Sequence, residues 1–199
     1  MLIKYLAKKI LKLSFTHIIT FISLIYGLAL AHSLSCIAGY IQNWKEIKQY
    51  WVWWFWALFL ILLSVGFWIS IYSFYNDIED WNVFYFFFLT LQSSLFYLTY
   101  YIFFNHFEEL KDNNLELEYY RYKKQYFILL AIQFILMFFG NNFLLTEKSA
   151  LAIFKLNVPI FFYSIILFFL AFNNNKILHK IFASLFLILF ITIIILDSI

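Results

Sequence analysis

Few residues in this chain have the means to do chemistry, and most of them lie inside long apolar stretches. His17 and His32 are fifteen positions apart. On a helix that spacing rotates the second ring about 60° from the first and sets it about 22 Å further along the axis. One mononuclear metal site is thereby excluded. Two axial haem ligands at opposite membrane faces would suit the spacing, given partner histidines elsewhere. The remaining histidines, His106 and His179, fall near helix ends. The plainer reading makes each a hydrogen-bonded polar residue near an interface, with His32 the deeper of the two.

Lys155, Asn157 and Pro159 stand together as KLNVP within another apolar run. Pro159 has no N–H, so the Lys155 carbonyl loses its helical partner and a kink is expected. A charge inside a membrane segment marks a functional site by default. Lys155 lies close enough to the start of its segment to snorkel to the headgroups instead. Gln92, followed by Ser93 and Ser94, and Gln133 fall near the middle of their segments. Amides at that depth either clasp neighbouring helices or line a polar path. The candidate pore or polar cluster is therefore Gln92, Gln133, Lys155, Asn157 and His32.

Two further patterns concern contacts. Ser23, Gly27, Ala31, Ser35 and Gly39 recur at every fourth position. Small residues at that spacing form a groove that admits another helix backbone. It serves an oligomer contact, a mobile seam or packing within the chain. The stretch LELEYYRYKKQ, with Glu118 and Arg121 three apart, reads as a helix extended out of the membrane. Arg121, Lys123 and Lys124 make it the surface able to dock a soluble partner. Trp44, Trp51, Trp53, Trp54 and Trp56 gather at the start of the second segment and Trp81 opens the third, as an interfacial aromatic belt does.

Absences weigh against catalysis. The chain has no HExxH, GxSxG, P-loop or CxxC motif, and no acidic pair inside a span; Asp77, Glu79, Asp80 and Asp197 lie in loops or at ends. No arginine and histidine stand at the spacing of an RNA-cleaving pair. A non-enzymatic protein is expected, without cofactor, metal or direct nucleic-acid contact.

Composition sets the frame for these residues. Of 199 residues, 65% are hydrophobic and 13% charged, against about 45–50% and about 25% in a soluble domain. A disulfide scaffold is excluded by the single cysteine, Cys36, and disorder by the one proline and four glycines. What remains is an all-α polytopic membrane protein: a single transmembrane domain over 1–199, with spans over about 14–40, 51–75, 82–105, 125–145, 150–172 and 177–196. Residues 1–13 form an amphipathic N-terminal segment with Lys4, Lys8 and Lys12 on one face, and 106–124 is the main extramembrane loop. That basic start, with Ala29-Leu30-Ala31 after it, also has the outline of a signal peptide. Thirteen lysines against one arginine, with abundant Phe, Ile, Asn and Tyr, follow AT-rich codons, so the inner membrane of a low-GC bacterium is expected. Lys45, Lys48, Lys111, Arg121, Lys123, Lys124, Lys176 and Lys180 lie on one side of the six spans; Lys4, Lys8, Lys9, Lys12 and Lys148 lie on the other. The first side is expected in the cytoplasm.

The runs LIYGLALAHSLSCIAGYI, YWVWWFWALFLILLSVGFWISIYSF, WNVFYFFFLTLQSSLFYL and EYYRYKKQYF resemble a widespread family of small, uncharacterised six-helix bacterial inner-membrane proteins. In that family a polar or histidine position sits among small residues of the first helix, and a basic linker leads to an aromatic second helix. Lys45 and Lys48 stand where arginine-rich linkers are usual. The resemblance implies cytoplasmic 1–2 and 3–4 loops and carries no catalytic residue. A looser similarity, in size and hydrophobicity, is to polytopic accessory proteins beside antiviral nucleases, including RNA-targeting CRISPR effectors. The expected function is a self-associating membrane protein, a homo-oligomer in the lipid bilayer, that forms or regulates a pore. The alternative is an accessory or scaffold protein that recruits a soluble partner through the 106–124 loop.

Overall fold

Continuous runs of Leu, Ile and Phe leave the backbone no solvent to bond with, so each run closes its hydrogen bonds internally as a helix. The computed structural model describes residues 15–75, 78, 81–105, 110, 113–145 and 149–197. Six helices follow in order: α1 Phe15–Gln42, α2 Trp51–Tyr75, α3 Val83–Phe103, α4 Leu115–Leu144, α5 Ala150–Phe172 and α6 Lys176–Asp197. Among the described residues there is no strand, and α1 to α5 are each long and apolar enough to cross a membrane. The fold is an all-α polytopic bundle. The amphipathic N-terminal segment, His106, Lys111, Glu147 and Lys148 lie outside the described residues.

Local chemistry sets the boundaries. Asn82 caps α3 by accepting from Tyr85 N at 2.9 Å, and Ser149 caps α5 by accepting from Ala152 N at 3.3 Å. Asn114 accepts from Glu116 N and Leu117 N, which starts α4 ten residues before the apolar run does. Just before it, Asn113 adopts a left-handed φ of 45°, where asparagine is better tolerated than most residues. The 1–2 linker is strapped to this cap: Lys48 N donates to Asn113 O at 2.8 Å, and Leu115 N donates to Lys48 O at 3.2 Å. Pro159 falls inside α5, and the helix continues across it.

The α4–α5 hairpin has the most extensive interface; α3 packs against α4, and α1 against α3. α2 contacts α1, α4 and α6. Phe103 meets Tyr126 at one end of the antiparallel α3–α4 pair, and Phe88 meets Phe143 at the other. The C-terminal ends of α1, α3 and α5 and the N-terminal ends of α2, α4 and α6 share one end of the bundle, called here the basic end.

The tryptophans are not one belt. Trp44 and Trp51 are exposed, but Trp53 and Trp56 are only 2% and 1% exposed. Trp53 stacks on Phe103 at 5.2 Å and meets Tyr40 edge-on, while Trp56 meets Phe127 and Phe186. Helical periodicity accounts for the correction, because four tryptophans within six residues cannot all face one side of α2.

Candidate functional site

Polar side chains at depth must find partners or lie in an unusual place, so their positions show what the bundle can do. At the basic end, Lys123 points inward from α4 and is 5% exposed. Its ammonium donates to Ala171 O at 2.9 Å, Asn173 O at 2.7 Å and, more distantly, Leu170 O at 3.4 Å. These carbonyls close α5, so the lysine caps that helix where its dipole is negative. His179, fully buried at the start of α6, bridges the same turn: Nε2 lies 2.8 Å from Asn173 O, and Nδ1 lies 2.7 Å from the Tyr119 hydroxyl. A carbonyl only accepts, so Nε2 carries the proton and Nδ1 accepts from Tyr119. Both ring nitrogens are occupied, which leaves no lone pair for a metal or haem.

Around this core, Glu118 pairs with Arg121, and Lys176 pairs with Glu116 at 2.7 Å. The Tyr50 hydroxyl lies 3.3 Å from that of Tyr120, and burial pushes the Tyr50 phenol above its usual range. The three basic residues of the docking surface therefore separate. Lys123 is removed from it as a structural cap, Arg121 is engaged by Glu118, and exposed Lys124 lies over the Phe172 ring at 5.1 Å. The sequence marked Lys123 as a charge of the docking surface, yet Tyr119, Lys123, Tyr126 and Leu130 recur at four, three and four residues. That buried face was available as a signal.

His32 is also taken up by structure. Its Nε2 donates to Phe104 O at 2.8 Å, its ring stacks on Tyr101 at 5.1 Å, and Tyr40 donates to Asn105 O. Two α1 side chains thus satisfy carbonyls at the end of α3. Cys36, one turn along, faces the same Phe104 carbonyl.

Toward the other end, Tyr75 Oη donates to Asn141 Oδ1 and Asn141 Nδ2 donates to Asn157 Oδ1, each at 3.0 Å. The chain of two bonds ties α2, α4 and α5, and all three residues are buried. Asn157 belongs to this clasp and does not face an open path. Asn141, in the last turn of α4, is its centre. Asn157→Leu is expected to cost about 1–2 kcal/mol, because it leaves the Asn141 amide unmet in an apolar interior. Unfolding in mixed micelles would measure it, and a loss no larger than that of an exposed-face change such as Leu151→Ala would contradict the clasp.

Gln92 and Gln133 are 1% and 2% exposed, and neither amide has a hydrogen-bond partner among the described residues. Both face the α3–α4 interface: Gln92 lies eleven residues from Phe103 and Gln133 seven from Tyr126, spacings that return to the same helix side. The register places them about one turn apart across the interface. They are enclosed in the single chain. Lys155 stands apart from both clusters, on the exposed side of α5. The proposed polar cluster is thus divided among four places.

α1 shows the opposite behaviour. Gly27, Ala31 and Ser35 are exposed, and a Cβ built on Gly27 would meet nothing within 4 Å. The two ends of the stripe are engaged inside the chain: Ser23 accepts from Trp68 Nε1 at 2.8 Å, and half-buried Gly39 accepts from Asn43 Nδ2 at 2.9 Å. Thr16 and Thr20 extend the exposed side toward the helix start. Among the described residues no group of three His, Cys, Asp or Glu side chains could hold a metal ion. Comparison with protein-family models, curated proteins and solved structures finds no match.

Proposed function

We propose that this membrane protein is non-enzymatic and self-associates through the outward face of α1, and that the assembly forms or regulates a pore. The observation that carries the reading is the open space around Gly27. Interhelical packing in lipid depends on close backbone approach, and a glycine with small neighbours one turn away on either side provides it. Exposed Gly27, Ala31 and Ser35 leave that face open to another helix.

The pore part rests on chemistry. Thr16, Thr20 and Ser35 add hydroxyls to the exposed side of α1, and each can bond back to its own helix when lipid faces it. Thr20 does so, donating to Thr16 O at 2.7 Å. Copies arranged about an axis would bring such groups together, while the enclosed Gln92 and Gln133 supply amides that a small shift of α3 against α4 would expose. The charge of the basic end, with exposed Lys45, Lys124, Lys176 and Lys180, favours a cytoplasmic side for it in a bacterial inner membrane.

Cysteine crosslinking in native membranes tests the contact. Ser35→Cys should give a disulfide-linked dimer on oxidation, and Leu151→Cys, on an exposed part of α5, should not. Native Cys36 is 1% exposed and serves as the internal control. No dimer from Ser35→Cys, or equal dimer from both variants, would refute the α1 interface.

A further inference from the structure

The outer surface between α4 and α5 carries an apolar groove of about 350 Å³, lined by Ile135, Phe138, Phe161, Ile165 and Phe168, with Ser164 at its floor. It continues toward the basic end as a line of rings. Phe168 packs on Phe172 at 5.1 Å, and the Lys124 ammonium lies 5.1 Å from the Phe172 ring centre. Lys124 and Ile135 are eleven residues apart on α4, which returns them to the same side of the helix. Phe161, Ile165, Phe168 and Phe172 likewise share one side of α5. Groove and cation therefore form one track along the α4–α5 seam.

Its dimensions match those of a lipid. Eleven residues of helix rise about 16 Å, close to half of the roughly 30 Å hydrocarbon thickness. An acyl chain anchored by its headgroup at Lys124 would end in the groove. Lys124 is exposed, level with Phe172 at the end of α5, and the end of an apolar span is where headgroups begin. We infer that the α4–α5 seam is a binding site for an anionic phospholipid of the leaflet at the basic end, with the phosphate on Lys124 and one acyl chain between α4 and α5. The exposed Phe161, Ile165 and Phe168 give the chain a shaped apolar bed. The charge selects the headgroup. The inference does not depend on self-association, since it needs only one copy and a bilayer.

Native mass spectrometry of the full chain in detergent, titrated with dioleoylphosphatidylglycerol and with dioleoylphosphatidylcholine, tests it. The parent should bind the phosphatidylglycerol about fivefold more tightly than the phosphatidylcholine, as one lysine near a headgroup implies. Lys124→Gln should abolish that preference, and Lys45→Gln, at an exposed lysine of the 1–2 linker, should keep it. Ile165→Trp, which fills the groove from an exposed position, should reduce the occupancy of both lipids. Equal binding of the two lipids by the parent would overturn the site. So would equal loss of preference in the Lys124 and Lys45 variants, which indicates diffuse charge. Unchanged occupancy in Ile165→Trp would remove the groove, and a dimer lost in that variant with lipid binding intact would assign the groove to a second copy.

Discussion

Lys123→Met is expected to lower unfolding stability by about 3 kcal/mol. Methionine keeps the volume of the side chain and removes only its charge and donors. The carbonyls of Leu170, Ala171 and Asn173 then close a helix with no cation to meet them. Asn173 O retains His179, so the loss falls chiefly on the α5 end. A hydrogen bond to a charged group is worth about 1.5–3 kcal/mol, and leaving an acceptor buried costs its desolvation as well. Lys124→Met gives the comparison one residue away: that ammonium sits over an exposed ring, where the contact is worth about 0.5–1 kcal/mol. Steric-trapping measurements in bilayers would separate the two. Equal effects from both variants would show that Lys123 is a surface charge after all.

Gly27→Leu is expected to act on association alone. A Cβ at this position meets nothing within 4 Å, so the folded chain accommodates leucine, and the helix gains about 0.8 kcal/mol in propensity over glycine. Two helices approaching across this face would instead be held apart by the added side chain. A loss of about 2 kcal/mol in association corresponds to roughly a thirtyfold weaker complex. The pattern of unchanged or improved unfolding with lost association distinguishes an intermolecular groove from packing within the chain, for which both would fall together. Dilution of labelled protein in lipid, followed by energy transfer, reads the association directly. Destabilised unfolding in Gly27→Leu would assign the face to the chain's own core.

Much of the fold is legible because the membrane restricts the options. A continuous apolar run of about 20 residues has only a helix available to it, so the spans follow from hydropathy alone. The start of α4 is less legible from hydropathy: Leu115 to Lys124 is polar overall, and the helix there depends on the Asn114 cap and a half-buried face. Partners are harder again. Gln92 and Gln133 could be placed at depth from the sequence, but Asn141 gains its role only from Tyr75 and Asn157, which the fold brings beside it. Lys123 and Lys124 are neighbours of one type, and only the rotation of α4 sends one inward to cap α5 and the other out to the seam. The small-residue stripe on α1 is legible in the sequence as a spacing of four. Which side of the helix the rest of the chain occupies is a tertiary fact, and α3 packs elsewhere.

Association through α1 implies complexes of more than one chain. The most direct test counts the copies in each complex by stepwise photobleaching of singly labelled protein in a bilayer at low density. More than one step per complex for the parent, falling to single steps for Gly27→Leu, is the predicted result. Single steps for the parent across the accessible densities would contradict it.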